Sequence, residues 1–233
     1  MPQPPLTVGL LLYEGAAQLD LTGPHEVFAR MPDTRVLVVA KTREPVRTDG
    51  GLLILPDAAL ADCPRLDVIC VPGGPGQVAL MDDAEVLGFL RRQAGTARYV
   101  TAVCTGSLVL AAAGLLTGYR AACHWLSRDQ LALFGAEPVA QRVVIDRNRV
   151  TGGGVTAGID FALTLAAELF GRPVAEAIQL GIEYDPAPPF AAGSPESADP
   201  AVVDRVRAAA AARQAERRAV AERAAARLAQ TEQ

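Results

Sequence analysis

Cys104 stands in Val103-Cys104-Thr105-Gly106-Ser107, between two apolar runs of different character. The run before it, Tyr99-Val100-Thr101-Ala102-Val103, is short and β-branched, which predicts a buried strand. The run after it, Ser107 to Ala113, predicts a buried helix that stops at Gly114. A thiol at such a junction lies near unpaired helix N-terminal amides. Their partial positive charge favours thiolate and can take the thiol well below its free value of roughly 8.5. The same amides can hold negative charge developing on a bound substrate. This is a nucleophile elbow with cysteine in place of serine. Buried cysteine is also a common small core residue, so the local pattern alone leaves both readings open.

Three other segments carry unusual chemistry: Gln18-Leu19-Asp20-Leu21-Thr22-Gly23-Pro24, the turn Gly73-Gly74-Pro75-Gly76, and Thr151-Gly152-Gly153-Gly154-Val155-Thr156-Ala157-Gly158. Each has a structural reading as well. Asp20 can cap a turn or the next helix, and Gly73-Gly74 can serve positive φ angles. Neither glycine run is a phosphate-binding or dinucleotide signature. His124 beside Trp125 reads as a hydrogen-bonded packing residue more readily than as a base. Cys63 and Cys123 read as bystanders, and Cys70 as strand core.

The elements that must position these groups alternate. Strands are expected at Thr7 to Tyr13, Val36 to Ala40, Leu66 to Val71 and Tyr99 to Val103, with a short one at Leu52 to Leu55. A hairpin is expected from Val143 to Thr151 through Arg147-Asn148. Helices are expected at Pro24 to Arg30, opened by the proline, at Asp83 to Ala94, after Cys104, and at Gly158 to Phe170. The pattern predicts an α/β fold: a doubly wound, mostly parallel, flavodoxin-like sheet with helices on both faces. In such sheets function collects beyond the carboxyl ends of the strands. All four chemistry-bearing segments fall at that edge.

Residues 1–195 read as this α/β domain, and residues 196–233 as a separate Ala/Arg-rich helix packing on the domain or on a dimer partner. Ala201 to Ala229 has high helix propensity. Val203, Val206, Ala210, Val220, Ala224 and Leu228 make a thin, interrupted apolar stripe. Seven arginines from Arg205 to Arg227 are interspersed with acids, which favours a solvated helix over an acidic partner.

At 233 residues and 50% hydrophobic, the chain can build one large core. A net charge of -4 and a pI of about 5.3 give no footprint for nucleic acid. Met1-Pro2-Gln3-Pro4-Pro5 lacks the start of a signal peptide, and no apolar run reaches membrane-spanning length. Four cysteines without metal-finger spacing, and two histidines, give no expectation of a metal or other cofactor. A cytoplasmic protein with reduced thiols is expected.

Gln18 to His25, Asp67 to Gly74, Arg98 to Leu110, Thr151 to Glu168 and Glu183 to Phe190 resemble the ThiJ/PfpI superfamily, and within it the bacterial isocyanide hydratases. The resemblance runs from about residue 6 to about residue 195. Many members of the superfamily place histidine directly after the cysteine; Thr105 stands there in this sequence, which argues against protease and glyoxalase activities. The resemblance implies a homodimeric lyase that adds water to an isocyanide, with Cys104 as nucleophile and Asp20 as acid and base. It also implies that Thr105 orients water or Asp20, that the Gly74 and Thr105 amides form an anion hole, and that Val155 shapes an apolar pocket. An ionised Asp20 beside Cys104 would raise the thiol pKa, so the pair titrates together and its resting state is open at this stage. Two rivals are a ligand domain of AraC-type regulators, for which the chain is too short to hold a helix-turn-helix unit, and a redox sensor oxidised at Cys104.

Overall fold

The computed structural model describes residues 5–231. Met1 to Pro4, where the absence of a signal peptide was read, lie outside the described residues, as do the last two of the expected helical extension. The strands are β1 (Leu6–Leu11), β2 (Thr34–Ala40), β3 (Val46–Arg47), β4 (Leu53–Ile54), β5 (Ala58–Ala59), β6 (Val68–Val71), β7 (Tyr99–Val103), β8 (Arg120–Ala121), β9 (Glu137–Pro138), β10 (Val143–Asp146) and β11 (Arg149–Gly152). The helices are α1 (Gln18–Phe28), α2 (Gln77–Leu80), α3 (Ala84–Ala94), α4 (Gly106–Ala112), α5 (Ala157–Phe170), α6 (Arg172–Gly181) and α7 (Pro200–Thr231). A 3-10 helix covers Arg128–Phe134.

Seven strands form the central sheet in the order β10-β11-β7-β6-β1-β2-β5. Every neighbouring pair is parallel except β10 and β11, whose antiparallel hairpin turns through Arg147 at φ 54°. The central strands are near-continuous apolar runs because both faces are covered: Val68, Ile69, Cys70 and Val71 are all buried. This is the doubly wound arrangement that the alternating pattern predicts. Helices α1, α5 and α6 pack together, as do α2, α4 and α7. Phe28 of α1 meets Phe161 of α5 edge to face, with centroids 6.0 Å apart. Such a pair adds roughly 0.5–1.5 kcal/mol beyond its area burial.

One helix differs from expectation in a way that matters for the site. The sequence reading opens a helix at Pro24, but α1 begins at Gln18 and carries Pro24 inside it. Proline has no N–H to return to the Asp20 carbonyl four residues earlier. Burial of Leu21, Val27 and Phe28 against the sheet and α5 holds the helix together across that missing bond. Asp20 therefore sits on the first turn of a helix rather than in a loop. Helix α3 is begun by Asp83, whose side chain accepts from the Glu85 and Val86 amides at 3.2 Å each. Helix α6, the 3-10 helix and the two-residue strands other than β4 were not anticipated; β4 falls inside the short strand expected at Leu52 to Leu55.

Candidate active site

The order of the sheet creates the crevice. From β1 the chain moves to β2 and β5 on one side, then crosses to β6, β7 and β11 on the other. Loops leaving the carboxyl ends of β1 and β6 diverge, and ligands bind such sheets at this switch point. Asp20 enters from α1 after β1, Gly73 and Gly74 follow β6, Cys104 follows β7, and the Gly153 to Thr156 turn follows β11.

Cys104 occupies the left-handed region at φ 58°, an uncommon conformation for a non-glycine residue and one expected of a nucleophile elbow. Its backbone N–H donates to the Gly152 carbonyl at 3.1 Å, so β11 pins the turn. Two glycines make the elbow fit. A Cβ on Gly106 would lie 2.1 Å from the Val71 carbonyl oxygen, so α4 can start against the end of β6 only without a side chain. A Cβ on Gly73 would lie 2.6 Å from the Thr105 nitrogen and 2.9 Å from Asp20 Oδ2.

Asp20 is fully buried, and Cys104 is 5% exposed. Asp20 Oδ2 accepts the Gly73 N–H at 2.8 Å, while Oδ1 has no hydrogen-bond partner among the described residues. Burial pushes the carboxyl up to about 7, against the opposing pull of the Gly73 amide and the Cys104 thiol. Burial also drives Cys104 well above the ordinary thiol range, and the negative charge of Asp20 adds to that. The Thr105 amide pulls the other way and is outweighed. The helix amides push toward thiolate, as the sequence suggests, but at so enclosed a sulfur desolvation is the larger effect.

Thr105 is buried, and its hydroxyl accepts the Gly74 N–H at 3.1 Å. One of the two amides expected in the anion hole is therefore already engaged by a neighbouring side chain. Val155 packs partly buried against the core from the turn after β11. A Cβ on the adjacent Gly154 would be 4.0 Å from His124 Cδ2, so this turn faces the histidine. His124 Nδ1 accepts the Leu126 N–H at 3.3 Å. Burial first, then the charges of Arg217 and Arg213, hold the ring below its ordinary value. All four cysteines are free. Burial pushes Cys63 up to about 11, and Cys70 and Cys123 each to about 12. Among the described residues no cluster of His, Cys, Asp and Glu could hold a metal ion, and no helix is long and apolar enough to cross a membrane.

The structure adds residues that the sequence reading did not single out. Tyr13, just past β1, is buried and donates its hydroxyl to the Pro72 carbonyl at 2.7 Å, tying the two crevice loops together. Its position at the end of an apolar strand was a usable signal. Gln77 follows the glycine turn fully buried and meets Arg217 of α7.

A mostly parallel α/β sheet with a left-handed cysteine elbow beside a buried carboxyl at its switch point defines a class of α/β proteins. Within that class the chain belongs to the DJ-1/PfpI family, whose profile matches residues 7–168. It is 56% identical over 223 residues to the isonitrile hydratase of Pseudomonas putida, covering 96% of this chain and 98% of that protein. A ThiJ/PfpI family protein from Pseudomonas syringae superposes with a TM-score of 0.91 at 46% identity, over 93% of this chain and 90% of that one. The glutathione-independent glyoxalase DJR-1.2 of Caenorhabditis elegans is more distant, 30% identical over 70% of this chain and 87% of its own length.

Proposed function

We propose that this chain is a lyase that hydrates organic isocyanides, also called isonitriles, to N-substituted formamides. The observation that carries this reading is the 56% identity to an isonitrile hydratase across nearly the whole of both chains. The thiol–carboxyl pair of Cys104 and Asp20 is chemically suited to it.

The isocyanide carbon is small and electrophilic and needs no wide cleft. Asp20, ionised, takes the Cys104 proton as sulfur adds to that carbon, then delivers the same proton to the carbon. The product of this half is a thioimidate, S–CH=N–R. Water adds to the same carbon, with one of its protons passing through Asp20 to nitrogen. Collapse of the tetrahedral adduct breaks the C–S bond, releases the formamide and returns the hydroxyl proton to sulfur. The proton inventory closes, and no oxidant or cofactor enters. The Thr105 N–H is the donor left for negative charge near the sulfur. Gly74 joins the anion hole when the Thr105 hydroxyl turns from its amide to water or to Asp20, and Val155 supplies the apolar wall. A cytoplasmic homodimer is part of the same reading. Leu180, Phe190 and the hairpin leucines Leu52, Leu53 and Leu55 are exposed apolar side chains that a second copy can cover.

The test is formamide formation from one alkyl and one aryl isocyanide, followed by absorbance and mass spectrometry, with Cys104→Ala as control. Turnover by the wild type, with a loss of at least about 10³-fold in the variant, is expected. Absence of formamide from either substrate overturns the proposed activity, and formamide from Cys104→Ala overturns the covalent route.

A further inference from the structure

Where α7 packs on α4 it leaves a cleft beside α3. Leu87 and Ala94 of α3, Ala112 and Leu115 around the end of α4, and Ala224 and Leu228 of α7 give the cleft apolar walls. Its volume is about 720 Å³, inside the range of roughly 300–1,000 Å³ where small-molecule sites fall. Leu228 sits directly on the α4 terminus: a Cβ on Gly114 would lie 3.1 Å from its Cδ1. Neither Asp20 nor Cys104 lines this space.

The charges on the cleft are unequal. Arg91, Arg149 and Arg227 line it together with one acid, Asp82. Asp82 is already engaged: Arg227 reaches its Oδ1, and Arg223 lies 3.5 Å from its Oδ2. Among the described residues no carboxylate pairs with Arg91 or Arg149.

Arg149 is only 9% exposed, and a guanidinium so far from water is normally matched by a carboxylate. Its contacts here are neutral. Nε donates to the Leu115 carbonyl and Nη1 to Asn148 Oδ1, each at 2.7 Å, and the guanidinium carbon lies 4.6 Å from the centroid of the Tyr119 ring. Those contacts fix the plane of the group. Nη2 has no hydrogen-bond partner among the described residues, yet it is not one of the polar atoms that the fold seals from solvent. An oriented donor and an unmatched charge are thus left at the cleft wall.

Apolar walls with surplus positive charge select an amphiphile of the opposite sign. A cation is repelled there, and an uncharged chain leaves the arginines unmatched. The planar fork of a guanidinium fits the edge of a carboxylate. We propose that this cleft is a second small-molecule site, separate from the Cys104 crevice, which binds a single-chain alkyl carboxylate with its head on Arg149 and Arg91 and its chain along the α3, α4 and α7 walls. The inference is independent of the hydratase reading.

The experiment is calorimetric titration of the full chain with decanoate, below its micelle concentration and at low ionic strength. One decanoate per chain is expected. Decanol, which keeps the chain and lacks the charge, is expected to bind at least roughly tenfold more weakly, and decyltrimethylammonium not to bind. Arg149→Met is expected to weaken decanoate roughly tenfold. Arg91→Glu, on the exposed rim, leaves the core intact and gives the reading if Arg149→Met does not fold; binding roughly fivefold weaker is expected. Neither variant is expected to change the affinity for decanol, which a merely loosened cleft would do. No binding of decanoate, equal binding of decanol, or decanoate affinity untouched in folded Arg91→Glu overturns the inference. Sedimentation is measured alongside. A wild type that ignores decanoate and an Arg91→Glu variant of lower sedimenting mass would make the cleft an interface between copies instead.

Discussion

Asp20 places a carboxyl where burial works against its own charge, and the consequences for activity and for stability have opposite signs. In the unfolded chain the group titrates near 3.8; in the fold it titrates at about 7. Between those values the folded state holds more protons than the unfolded one, so stability falls as pH rises through that window. Above about pH 7 the penalty is on the order of 4 kcal/mol. Asp20→Asn is therefore expected to melt higher than wild type at pH 8 and to lose that advantage near pH 4, by calorimetry at both pH values. The same variant should lose nearly all isocyanide hydration, because an amide accepts the Gly73 N–H but moves no proton. Wild-type hydration should rise with pH to a plateau above about 7, as the carboxyl becomes able to take the thiol proton. Near-normal turnover by Asp20→Asn would remove the acid–base role. At this scale the sequence was legible where residue type and junction coincide, as at Cys104, and silent where burial decides. Helix amides argued for a lowered thiol pKa; the enclosure that outweighs them is a property of packing, not of Val103-Cys104-Thr105.

Among elements, the elbow is the most constrained. Strands β6, β7 and β11 and helices α3, α4 and α5 were legible because buried parallel strands are β-branched runs, helices carry apolar faces, and Asp83 caps α3. Helix α1 was misread, since Pro24 signals a start locally and burial against α5 overrides it. The 3-10 helix and the two-residue strands β3, β5, β8 and β9 depend on tertiary pairing that short runs do not encode. Gly106→Ala tests the strand-to-helix junction. Its Cβ meets backbone rather than a flexible side chain, at 2.1 Å from the Val71 oxygen, so β6 and α4 must part. A loss of about 3 kcal/mol is expected, or roughly 6–12 °C in melting temperature for a chain of this size. A melting temperature within about 2 °C of wild type would show that the junction yields.

At the scale of the whole molecule, α7 is the part that composition describes least well. An Ala/Arg/Glu helix is expected to lie on the domain or on a partner with much of its surface solvated, and α7 packs against α2, α4 and the 3-10 helix. Val206, counted in the expected stripe, is exposed, while Arg217 and Ala221 are buried. The interruption of that stripe between Ala210 and Val220 was the available sign that something polar faces inward. Removing Ala201 to Gln233 uncovers apolar surface of the core. It is expected to lower the melting temperature by at least about 6 °C, from roughly 3 kcal/mol of lost burial. Sedimentation of the full chain is expected at twice its 24.4 kDa mass. An unchanged melt in the truncated chain would mean that the helix is not part of the cooperative unit.

The position of α7 in the chain also sets an order of events during synthesis. Every strand, and both Asp20 and Cys104, precede it. At a translation rate of about 5–20 residues per second, roughly 3–12 s separate the completion of α5 from that of α7. A sheet that folds in that interval holds its thiol–carboxyl pair before α7 has covered α2 and α4. The nascent protein thus exposes, for those seconds, apolar surface that α7 later buries.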